Sequence, residues 1–551
     1  MGKNKIKVTL QPENQPIQAQ SDQPLLEAMI DAGILLRADC GGKGKCAKCR
    51  IQISDESKKS VSTPTDAERR IMKNTEIENG YRLACQVSAS ESITVSIPEQ
   101  TRLKPEVAQK GPTLIPVLEP VTGKYKTERF GIAVDLGTTT IAVYLCDINR
   151  RKVLASVSLR NPQVIYGDDV MSRITAVYQY DDLLAKLHKS AVQAIEWGIY
   201  SLCRSSQIQS QQLAQVVVVG NSTMIHLFAN EDPSSIGVYP YEPKFKDERT
   251  FAATSLGFSF NADAVVTTLP LISGFLGSDI VAASLAADHR NWPNGTMLID
   301  VGTNGEVILL QEGQFTATSC ATGPAFEGAS IHHGMHAISG AIDAVKIDPQ
   351  TGRPRCSLIQ KDPAKIKKPS GICGSGVVSA IAELYRCGIL LKDGRILPDN
   401  FPDMFVHHED QSPAYVLVPA EQAQANRAVT LTQADVRAIQ LAKGALYTGI
   451  SLLCMEMGIE KPTRILIAGA FGSYINIEDA LTIGLFPEMD PADVKVVGNA
   501  AGAGAILALF DDAYRQKALA LSREATVVDL GGHHQFQDVF MNSLAFPNGK
   551  R

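Results

Sequence analysis

Short runs of alternating hydrophobic and polar residues predict a small mixed domain at the start of the chain. They predict a β-hairpin from residues 5–10 and 16–20, a helix over 24–32, and strands over 50–54 and 92–97. A helix and several short strands this close together in the chain indicate one α+β domain, which we place at residues 1–98.

The next segment is dominated by prolines rather than by a periodic pattern. Pro105, Pro112, Pro116 and Pro120 stand among scattered charges. Because proline lacks a backbone N–H and fixes φ, this composition disfavours both helix and sheet. It predicts a linker over residues 99–128. Several apolar residues in this segment leave an extended stretch docked on the surface as the alternative.

Longer apolar runs begin at residue 130 and predict buried strands. Two of them form strand–turn–strand patterns, at residues 130–143 and 297–310, and a third, at 464–468, ends in glycines. We place a middle domain at residues 129–215 and a C-terminal domain at 216–551.

Composition and charge narrow the class of protein. With 551 residues, of which 44% are hydrophobic and 20% charged, the chain is predicted to fold into several domains. The net charge of -5 is a poor basis for binding nucleic acid, which we do not expect as a partner. No apolar stretch reaches the roughly 18 residues of a membrane helix, and no signal peptide is evident. We therefore expect a cytoplasmic protein that does not bind membranes.

Four of the eleven cysteines form a pattern, with the spacing C-x5-C-x2-C-x35-C at Cys40, Cys46, Cys49 and Cys85. The first gap is one residue longer than in plant-type [2Fe–2S] ferredoxins. Three glycines in that gap allow the backbone to approach inorganic sulfides and donate N–H bonds to them. We favour a [2Fe–2S] cluster. The alternative is a zinc site with four cysteine ligands. Such sites usually contain two short C-x2-4-C pairs, whereas Cys85 stands alone here.

The first strand–turn–strand pattern carries an acid and several hydroxyl groups at its turn. Asp135 is followed by Gly137, Thr138, Thr139 and Thr140. The glycine lets the backbone approach an anion, the threonines offer donors, and the carboxylate can hold Mg²⁺ through water. Alone, this pattern is only a weak indication of a nucleotide site.

Residues of the same kinds recur in the second half of the chain: Asp300, Gly302, Thr303, Asn304, Gly305 and Glu306 at the second turn, Gly469, Ala470 and Gly472 after the strand at 464–468, and Gly323, Glu327, Gly374, Ser375 and Gly376 in two glycine-rich segments. We expect the segments at 321–328 and 371–376 to precede helices, whose N-termini can bind anions. For each segment taken singly, a helix cap or a tight turn is the alternative to an anion site. Two copies of the hairpin strengthen the prediction of a nucleotide site.

In order and spacing these elements resemble the actin, sugar-kinase and heat-shock-chaperone ATPase superfamily. With the cysteine domain added, the whole chain resembles the reductive activators of corrinoid-dependent methyltransferase systems, in the group with [2Fe–2S] centres. Residues 161–174 and 220–224 also resemble that family. For residues 161–174, helix capping and packing of one lobe is the alternative to a partner-binding role.

The resemblance implies a multi-domain α+β and α/β fold. It consists of a β-grasp [2Fe–2S] ferredoxin domain, a linker, and a duplicated two-lobed actin-like (ribonuclease H-like) ATPase whose lobes close on ATP. The implied roles are Mg²⁺ binding by Asp135 and Asp300, phosphate binding by Thr138, Thr139, Thr303 and Asn304, entry of the nucleoside at Gly469 and Gly472, and positioning of water by Glu306 or Glu327.

The resemblance also implies the reaction, in which inactive cobalt(II) of a corrinoid protein is reduced to cobalt(I). The electron comes from the [2Fe–2S] cluster, supplied by an upstream ferredoxin or flavoprotein. A plant-type cluster lies at about -400 mV, so transfer to cobalt needs help. We expect ATP-driven closure to grip the corrinoid protein while the ferredoxin domain swings on its linker, and the family resemblance suggests a homodimer.

Two other functions remain open from the residues. A small-molecule kinase with a fused redox domain would share both hairpins, but it needs a substrate-side aspartate base and a sugar pocket, and no segment indicates either. An electron carrier whose C-terminal lobes only bind nucleotide is the non-enzymatic alternative.

Overall fold

The computed structural model describes residues 5–38, 40–102, 118–119, 129–302, 304–328, 330–335, 337–360, 367–407, 412–472 and 475–548. The described residues form two compact units. The first contains those within Met1–Gly111, Val117–Asp279 and Ala505–Leu519, and the second contains those within Ile280–Gly504 and Ala520–Arg551.

The first unit begins with a β-grasp domain. Its elements are β1 (Lys5–Gln11), β2 (Gln15–Gln20), α1 (Leu25–Asp31), β3 (Arg50–Ile53), α2 (Asp66–Ile71), α3 (Asn74–Glu78), β4 (Tyr81–Leu83) and β5 (Ile93–Ser96). The sheet order is β2-β1-β5-β3-β4, with β1 antiparallel to β2 and parallel to β5. Leu25, Leu26 and Met29 of α1 are buried in the core of this domain. The predicted hairpin, helix and strands are confirmed, each end within one residue.

Residues 99–102 pack against this domain. Leu36 forms an isolated bridge with Arg102, and Arg102 forms an ion pair with Glu13 at 2.7 Å. The remainder of the predicted linker, apart from residues 118 and 119, lies outside the described residues.

A six-stranded sheet forms the rest of the first unit. Its elements are β6 (Phe130–Leu136), β7 (Thr140–Asp147), β8 (Lys152–Arg160), α4 (Val170–Gln179), α5 (Leu183–Ser206), β9 (Leu213–Val219), α6 (Ser222–Phe228), β10 (Arg249–Ala252) and β11 (Val265–Thr268). The order is β10-β11-β9-β6-β7-β8. Helix α5 packs closely on β7 because residue 198 is glycine: a Cβ on Gly198 would lie 3.1 Å from a methyl group of Val143. This sheet extends beyond residue 215, so we use the name middle domain below for the whole sheet and its helices, residues 130–268.

The second unit repeats this arrangement. The remaining elements are α7 (Ser278–Ala286), β12 (Thr296–Val301), β13 (Gly305–Gln311), β14 (Gln314–Cys320), β15 (Ala341–Ile347), β16 (Pro354–Leu358), β17 (Gly371–Ile372), α8 (Gly374–Arg386), β18 (Phe405–His407), β19 (Pro413–Val418), β20 (Val429–Thr432), α9 (Gln433–Glu456), β21 (Arg464–Ala468), α10 (Gly469–Gly472), α11 (Ile477–Thr482), β22 (Val494–Gly498), α12 (Ala500–Phe510), α13 (Asp512–Glu524), β23 (Thr526–Val527) and α14 (Phe536–Ser543). Helix α7 begins in residues of the first unit. Parts of helices α12 and α13 also belong to that unit.

The order of the large sheet in the second unit is β22-β21-β12-β13-β14-β23. Strands β22, β21 and β12 run parallel, and β12, β13 and β14 form an antiparallel meander. Strands β11, β9 and β6, followed by β7 and β8, are arranged in the same way in the middle domain. This repeat confirms the predicted duplicated fold.

Helix α9 is the longest apolar helix of the second unit. Among the described residues it alone is long and apolar enough, by length and composition, to cross a membrane. However, 67% of its apolar stretch is buried inside the protein. That degree of burial is typical of a core helix, so the helix is weak evidence for a membrane span.

Candidate functional site

The cysteine loop lies between α1 and β3. Gly41, Gly42 and Gly44 have φ angles of +57°, +80° and +66°, which L side chains rarely adopt. A Cβ on Gly44 would lie only 2.9 Å from the Cβ of Ala67. The glycines therefore allow the tight path that turns several N–H groups of the loop toward the sulfur atoms.

The four cysteine thiols are arranged as two pairs. Cys40 is in hydrogen-bonding contact with Cys46, and Cys49 with Cys85. The contact with Cys46, helped by N–H groups of the loop, lowers the pKa of Cys40 to about 5. Among the described residues, no three cysteine, histidine or acidic side chains lie close enough together to hold one metal ion. A [2Fe–2S] cluster takes two thiolates on each iron, so the two pairs fit it.

A buried polar network holds Cys85 against the loop. Arg82 donates to both carboxylate oxygens of Glu68, at 2.9 and 2.8 Å. Burial raises the pKa of Glu68, but hydrogen bonds from Arg82 and from backbone N–H groups outweigh it and hold that pKa below its usual value. Gln86 donates to the carbonyl oxygen of Gly42 at 2.9 Å, which ties the segment carrying Cys85 to the loop.

The first candidate phosphate-binding turn joins β6 to β7. The N–H of Gly137 donates to the carbonyl oxygen of Thr140 at 3.0 Å, and a Cβ on Gly137 would lie 2.6 Å from the same oxygen. The turn therefore needs glycine. Thr138 is buried, and its hydroxyl group accepts a hydrogen bond from Asn221 at 2.9 Å. Asp135 is partly buried one residue before the end of β6.

Further side chains surround this turn although they were not among the predicted site residues. Asn161 donates from its side chain to the carbonyl oxygen of Gly137 at 2.9 Å and from its backbone to that of Thr139 at 2.8 Å. The fully buried Arg173 donates to the carbonyl oxygen of Thr138 at 2.7 Å. Burial lowers the pKa of Arg173 to about 9. The sequence offered one signal for these residues, the family resemblance of residues 161–174, but that resemblance did not connect them to the turn.

The second turn joins β12 to β13. Asp300 stands directly opposite Glu306 in the antiparallel register. The N–H of Gly302 donates to the carbonyl oxygen of Asn304 at 2.9 Å. Two acidic residues directly opposite one another on a sheet repel, and a bound cation relieves that repulsion. The donor set at this turn therefore fits Mg²⁺.

The glycine that follows strand β21 lies against the same turn. Asp300 pairs with Ala468, and Gly469 follows with a φ of +89°. A Cβ on Gly469 would lie 2.6 Å from the carbonyl oxygen of Val301 and 2.7 Å from a carboxylate oxygen of Asp300. Only glycine fits this position. Gly472 is buried at the end of the single turn α10.

The run of small residues at 374–376 packs a helix onto a strand. The hydroxyl group of Ser375 donates to the carbonyl oxygen of Asp343 at 3.2 Å, and a Cβ on Gly376 would lie 2.2 Å from that of Ile342. Gly374 begins α8, so a helix does follow residues 371–373, as predicted, and it starts within the predicted segment at 371–376. Thr303 lies outside the described residues, and so does the side chain of Ala470.

The segment at 321–328 does not precede an α-helix, so that prediction was wrong. Residues Pro324–Glu327, which include Glu327, form one 3₁₀ turn that ends at Gly328 with a φ of +78°. A Cβ on Gly328 would lie 2.9 Å from the backbone of Met335, so this position needs glycine. Gly323 has no atom within 4 Å of the position that a Cβ would take.

Three family models match the chain. Residues 8–90 match the 2Fe-2S iron-sulfur cluster binding domain, residues 130–291 the RACo middle region, and residues 294–551 the C-terminal domain of RACo, described as the ASKHA domain. The chain thus combines an iron–sulfur domain with a nucleotide-binding domain of the actin-like superfamily.

Two relatives and one solved structure are similar over most of the chain. The corrinoid activation enzyme RamQ of Eubacterium limosum is 34% identical over 425 residues, covering 76% of this chain and 70% of the relative. The Co(II) methylated amine-specific corrinoid protein reductase of Methanosarcina barkeri is 26% identical over 386 residues, covering 65% and 66%. A structure of a reductive activator for corrinoid, iron–sulfur protein is 28% identical, with a TM-score of 0.70, and covers 98% of both chains.

Proposed function

The chain belongs to the family of corrinoid reductive activators, and on that premise we propose that it uses ATP to reduce the cobalt(II) of a corrinoid protein to cobalt(I). The observation that carries this function is the presence of an iron–sulfur domain and an ASKHA domain in one chain. The first domain suits electron transfer, and the second suits nucleotide-driven conformational change.

We assign the cluster to Cys40, Cys46, Cys49 and Cys85. When bound, a [2Fe–2S] cluster supplies one electron at a time at about -400 mV. The chain contributes the thiolates and the N–H groups that stabilise their charge. One of these is the backbone N–H of Lys45, which donates to the sulfur of Cys40.

ATP is needed because the electron must reach a metal centre of very low potential. About 59 mV of unfavourable potential corresponds to a tenfold loss in the equilibrium constant for one electron. Several kcal/mol of differential binding between two conformations therefore suffice to shift the transfer toward cobalt(I). Nucleotide binding and hydrolysis by the ASKHA domain supply that difference.

We assign the nucleotide-binding residues by their roles. Asp135 and Asp300 organise Mg²⁺, and Gly302 and Gly305 shape the second turn. Phosphates are bound by Gly137, Thr138, Thr139, Thr140, Thr303 and Asn304, the nucleoside enters beside Gly469, Ala470 and Gly472, and Gly323 and the run from Gly374 to Gly376 flank the site. Glu306 and Glu327 are the candidates for positioning the attacking water. Glu306 is the better one, because it is buried directly opposite Asp300.

The partner is a corrinoid protein, as the names of the relatives indicate. An upstream ferredoxin or flavoprotein supplies electrons to the chain, which acts in the cytoplasm as a homodimer.

The decisive test uses the full chain, purified anaerobically with iron and sulfide and supplied with a low-potential chemical reductant that reduces its cluster, together with a corrinoid protein in the cobalt(II) state. We expect the visible spectrum of cobalt(I) to appear only when Mg·ATP is present. Equal rates without nucleotide would contradict the proposed function. Sugar-dependent ATP consumption would support a kinase, and no hydrolysis at all would support a carrier that only binds nucleotide.

A matched pair of cysteine variants tests the cluster assignment. Cys46→Ser should remove the visible absorption and the electron paramagnetic resonance (EPR) signal of the reduced cluster. Cys387→Ser is the control, because Cys387 is a partly exposed thiol outside the cysteine loop. Loss of the signal in both variants, or in neither, would reject the assignment.

A further inference from the structure

The cysteine loop of the β-grasp domain is packed against the middle domain. Lys43 forms an ion pair with Asp168, and both side chains are about half exposed. A Cβ on Gly41 would lie 2.7 Å from a carboxylate oxygen of Asp168 and 2.8 Å from the carbonyl oxygen of Val164. The backbone next to Cys40 therefore touches the middle domain directly.

The rest of this interface contains both apolar and polar contacts. Leu35 lies in the hydrophobic core of the middle domain, and Ile165 packs against the core of the β-grasp domain. Lys186 of α5 forms an ion pair with Glu27 of α1 at 2.9 Å, and Lys189 donates to the carbonyl oxygen of Asp31 at 2.7 Å. Partly exposed ion pairs contribute little to stability individually and are screened by salt. Such polar contacts can hold the cysteine loop in place and still release it.

Two orphaned polar atoms at the interface also favour release. The hydroxyl group of Tyr166 and the side-chain oxygen of Gln193 are buried without a hydrogen-bond partner. Gln193 faces Gly33 of the β-grasp domain, and Tyr166 lies within electrostatic reach of Glu27 and Asp31. Buried polar groups without partners cost free energy, which is recovered when separation admits water.

The segment that receives the cysteine loop is bonded on its other side to the first phosphate-binding turn. Asn161 binds Gly137 and Thr139, and Arg173 binds Thr138, so the segment contacts three successive residues of the turn. Residues 161–173, which we call the coupling segment, thus touch the turn at both ends and the cysteine loop in the middle.

Contacts inside the coupling segment join its two ends to its middle. Arg173 donates to the side-chain oxygen of Gln163 at 3.0 Å and to the carbonyl oxygen of Gly167 at 3.0 Å. Gly167 is the residue before Asp168, which binds the cysteine loop. A displacement of the turn therefore has a continuous, tightly packed path to the docking contact.

We propose that the coupling segment links nucleotide binding to docking of the iron–sulfur domain, so that nucleotide at the turn of residues 137–139 weakens the contact between the cysteine loop and Asp168. This proposal rests on the proposed function. Asn161 and Arg173 act as positioning residues for the turn, and Asp168 acts as the docking residue. Release of the loop uncovers the backbone beside Cys40, the face that an electron acceptor needs to approach.

Thermodynamic reciprocity gives a test that does not depend on corrinoid reduction. If nucleotide weakens docking, then loss of docking must strengthen nucleotide binding by the same factor, typically about fivefold or more. The experiment measures the affinity of the full chain, with its cluster, for the magnesium complex of a non-hydrolysable ATP analogue by calorimetry. Hydrogen exchange at residues 40–46 and 161–173 reports docking in the same samples.

Asp168→Asn should weaken docking of the loop and tighten binding of the analogue by up to about fivefold. Asp181→Asn is the matched control, because Asp181 is an exposed acid on the same domain, and it should bind like the unmodified chain. In an Arg173→Met background the effect of Asp168→Asn should disappear, since the positioning residue is gone. The Asp168→Asn variant alters only a half-exposed side chain, so it decides the question even if Arg173→Met fails to fold.

Unchanged affinity in Asp168→Asn, despite faster exchange of the cysteine loop, would overturn the proposal. The proposal would also be overturned if bound nucleotide left the hydrogen-exchange rate of the cysteine loop unchanged in the unmodified chain. Failure of the unmodified chain to bind the analogue at all would instead reject the proposed ATP-dependent function, and the coupling with it.

Discussion

The two strand–turn–strand hairpins share their backbone architecture down to single close contacts. In each, a parallel neighbouring strand is followed by a glycine that touches the hairpin. A Cβ on Gly220 would lie 2.5 Å from the carbonyl oxygen of Leu136, and a Cβ on Gly469 would lie 2.6 Å from that of Val301. The duplication therefore extends from strand order to the positions where only glycine fits.

The side chains around the two turns are different. The first turn is bound by the neutral or cationic side chains of Asn161, Arg173 and Asn221. The second turn carries Asp300 opposite Glu306. The same backbone arrangement thus carries one turn that is surrounded by hydrogen-bond donors and one turn that carries two opposed acidic residues. We expect loss of an acid to matter most at the second turn and loss of a polar contact to matter most at the first.

The largest effect is expected from Asp300→Asn. A metal ion supplies several kcal/mol of charge stabilisation in phosphoryl transfer, and about 1.4 kcal/mol corresponds to a factor of ten in rate. We expect ATP-dependent cobalt reduction to fall about 100-fold or more, while the EPR signal of the reduced cluster is unchanged. Asp288→Asn, at an exposed turn of the same unit, is the control. Loss of the cluster signal together with activity would contradict the assignment.

Gly469→Ala should destabilise the second unit. The substitution places a methyl group against the backbone of Val301 and the carboxylate of Asp300, at a φ that alanine disfavours. Gly313→Ala is the matched control, because Gly313 has a φ of +76° and no atom within 4 Å of a Cβ. The excess loss for Gly469→Ala, measured by denaturant unfolding, should be about 2 kcal/mol. Equal losses would show that the contact with Val301 can relax.

The strands of both hairpins were predictable because their long apolar runs specify burial without reference to the rest of the chain. The β-grasp elements were predictable for a similar reason, since alternation and turn residues act locally. The cysteine spacing was also local information, and the glycines of its loop adopt the left-handed conformations that the tight path requires.

The environment of the first turn could not be predicted in this way. Arg173 is bonded to Thr138, 35 positions earlier in the chain, and such a pairing exists only once the middle domain is folded. The 3₁₀ turn after Gly323 was missed because glycines next to a proline also occur at helix starts. What distinguishes this turn is the close approach of Gly328 to Met335, a tertiary contact.

Asp135→Asn tests whether the acid of the first turn is as important as that of the second. Asp135 stands opposite Ala142, so no second acidic residue faces it across the hairpin. We expect a loss of about tenfold in ATP-dependent cobalt reduction, equivalent to about 1.4 kcal/mol, and a higher Mg²⁺ requirement. Asp263→Asn, at an exposed loop of the same unit, should have no effect. A loss as large as that of Asp300→Asn would show that the two acids are equally important.

Asn221→Ala tests a single side-chain contact of the first turn. Asn221 caps α6 by accepting the N–H of Met224 at 3.0 Å, and it also donates to the hydroxyl group of Thr138. Asn476 caps α11 with the same geometry, at 3.0 Å from the N–H of Asp479. Each cap is worth about 1 kcal/mol, so the two alanine variants differ mainly by the Thr138 hydrogen bond.

We expect Asn221→Ala to lower the free energy of unfolding by about 1 kcal/mol more than Asn476→Ala, because the buried hydroxyl group of Thr138 loses its donor. If the two variants are equally stable, the side-chain shell around the first turn adds nothing to its stability, and the contrast between the two turns is then one of charge alone.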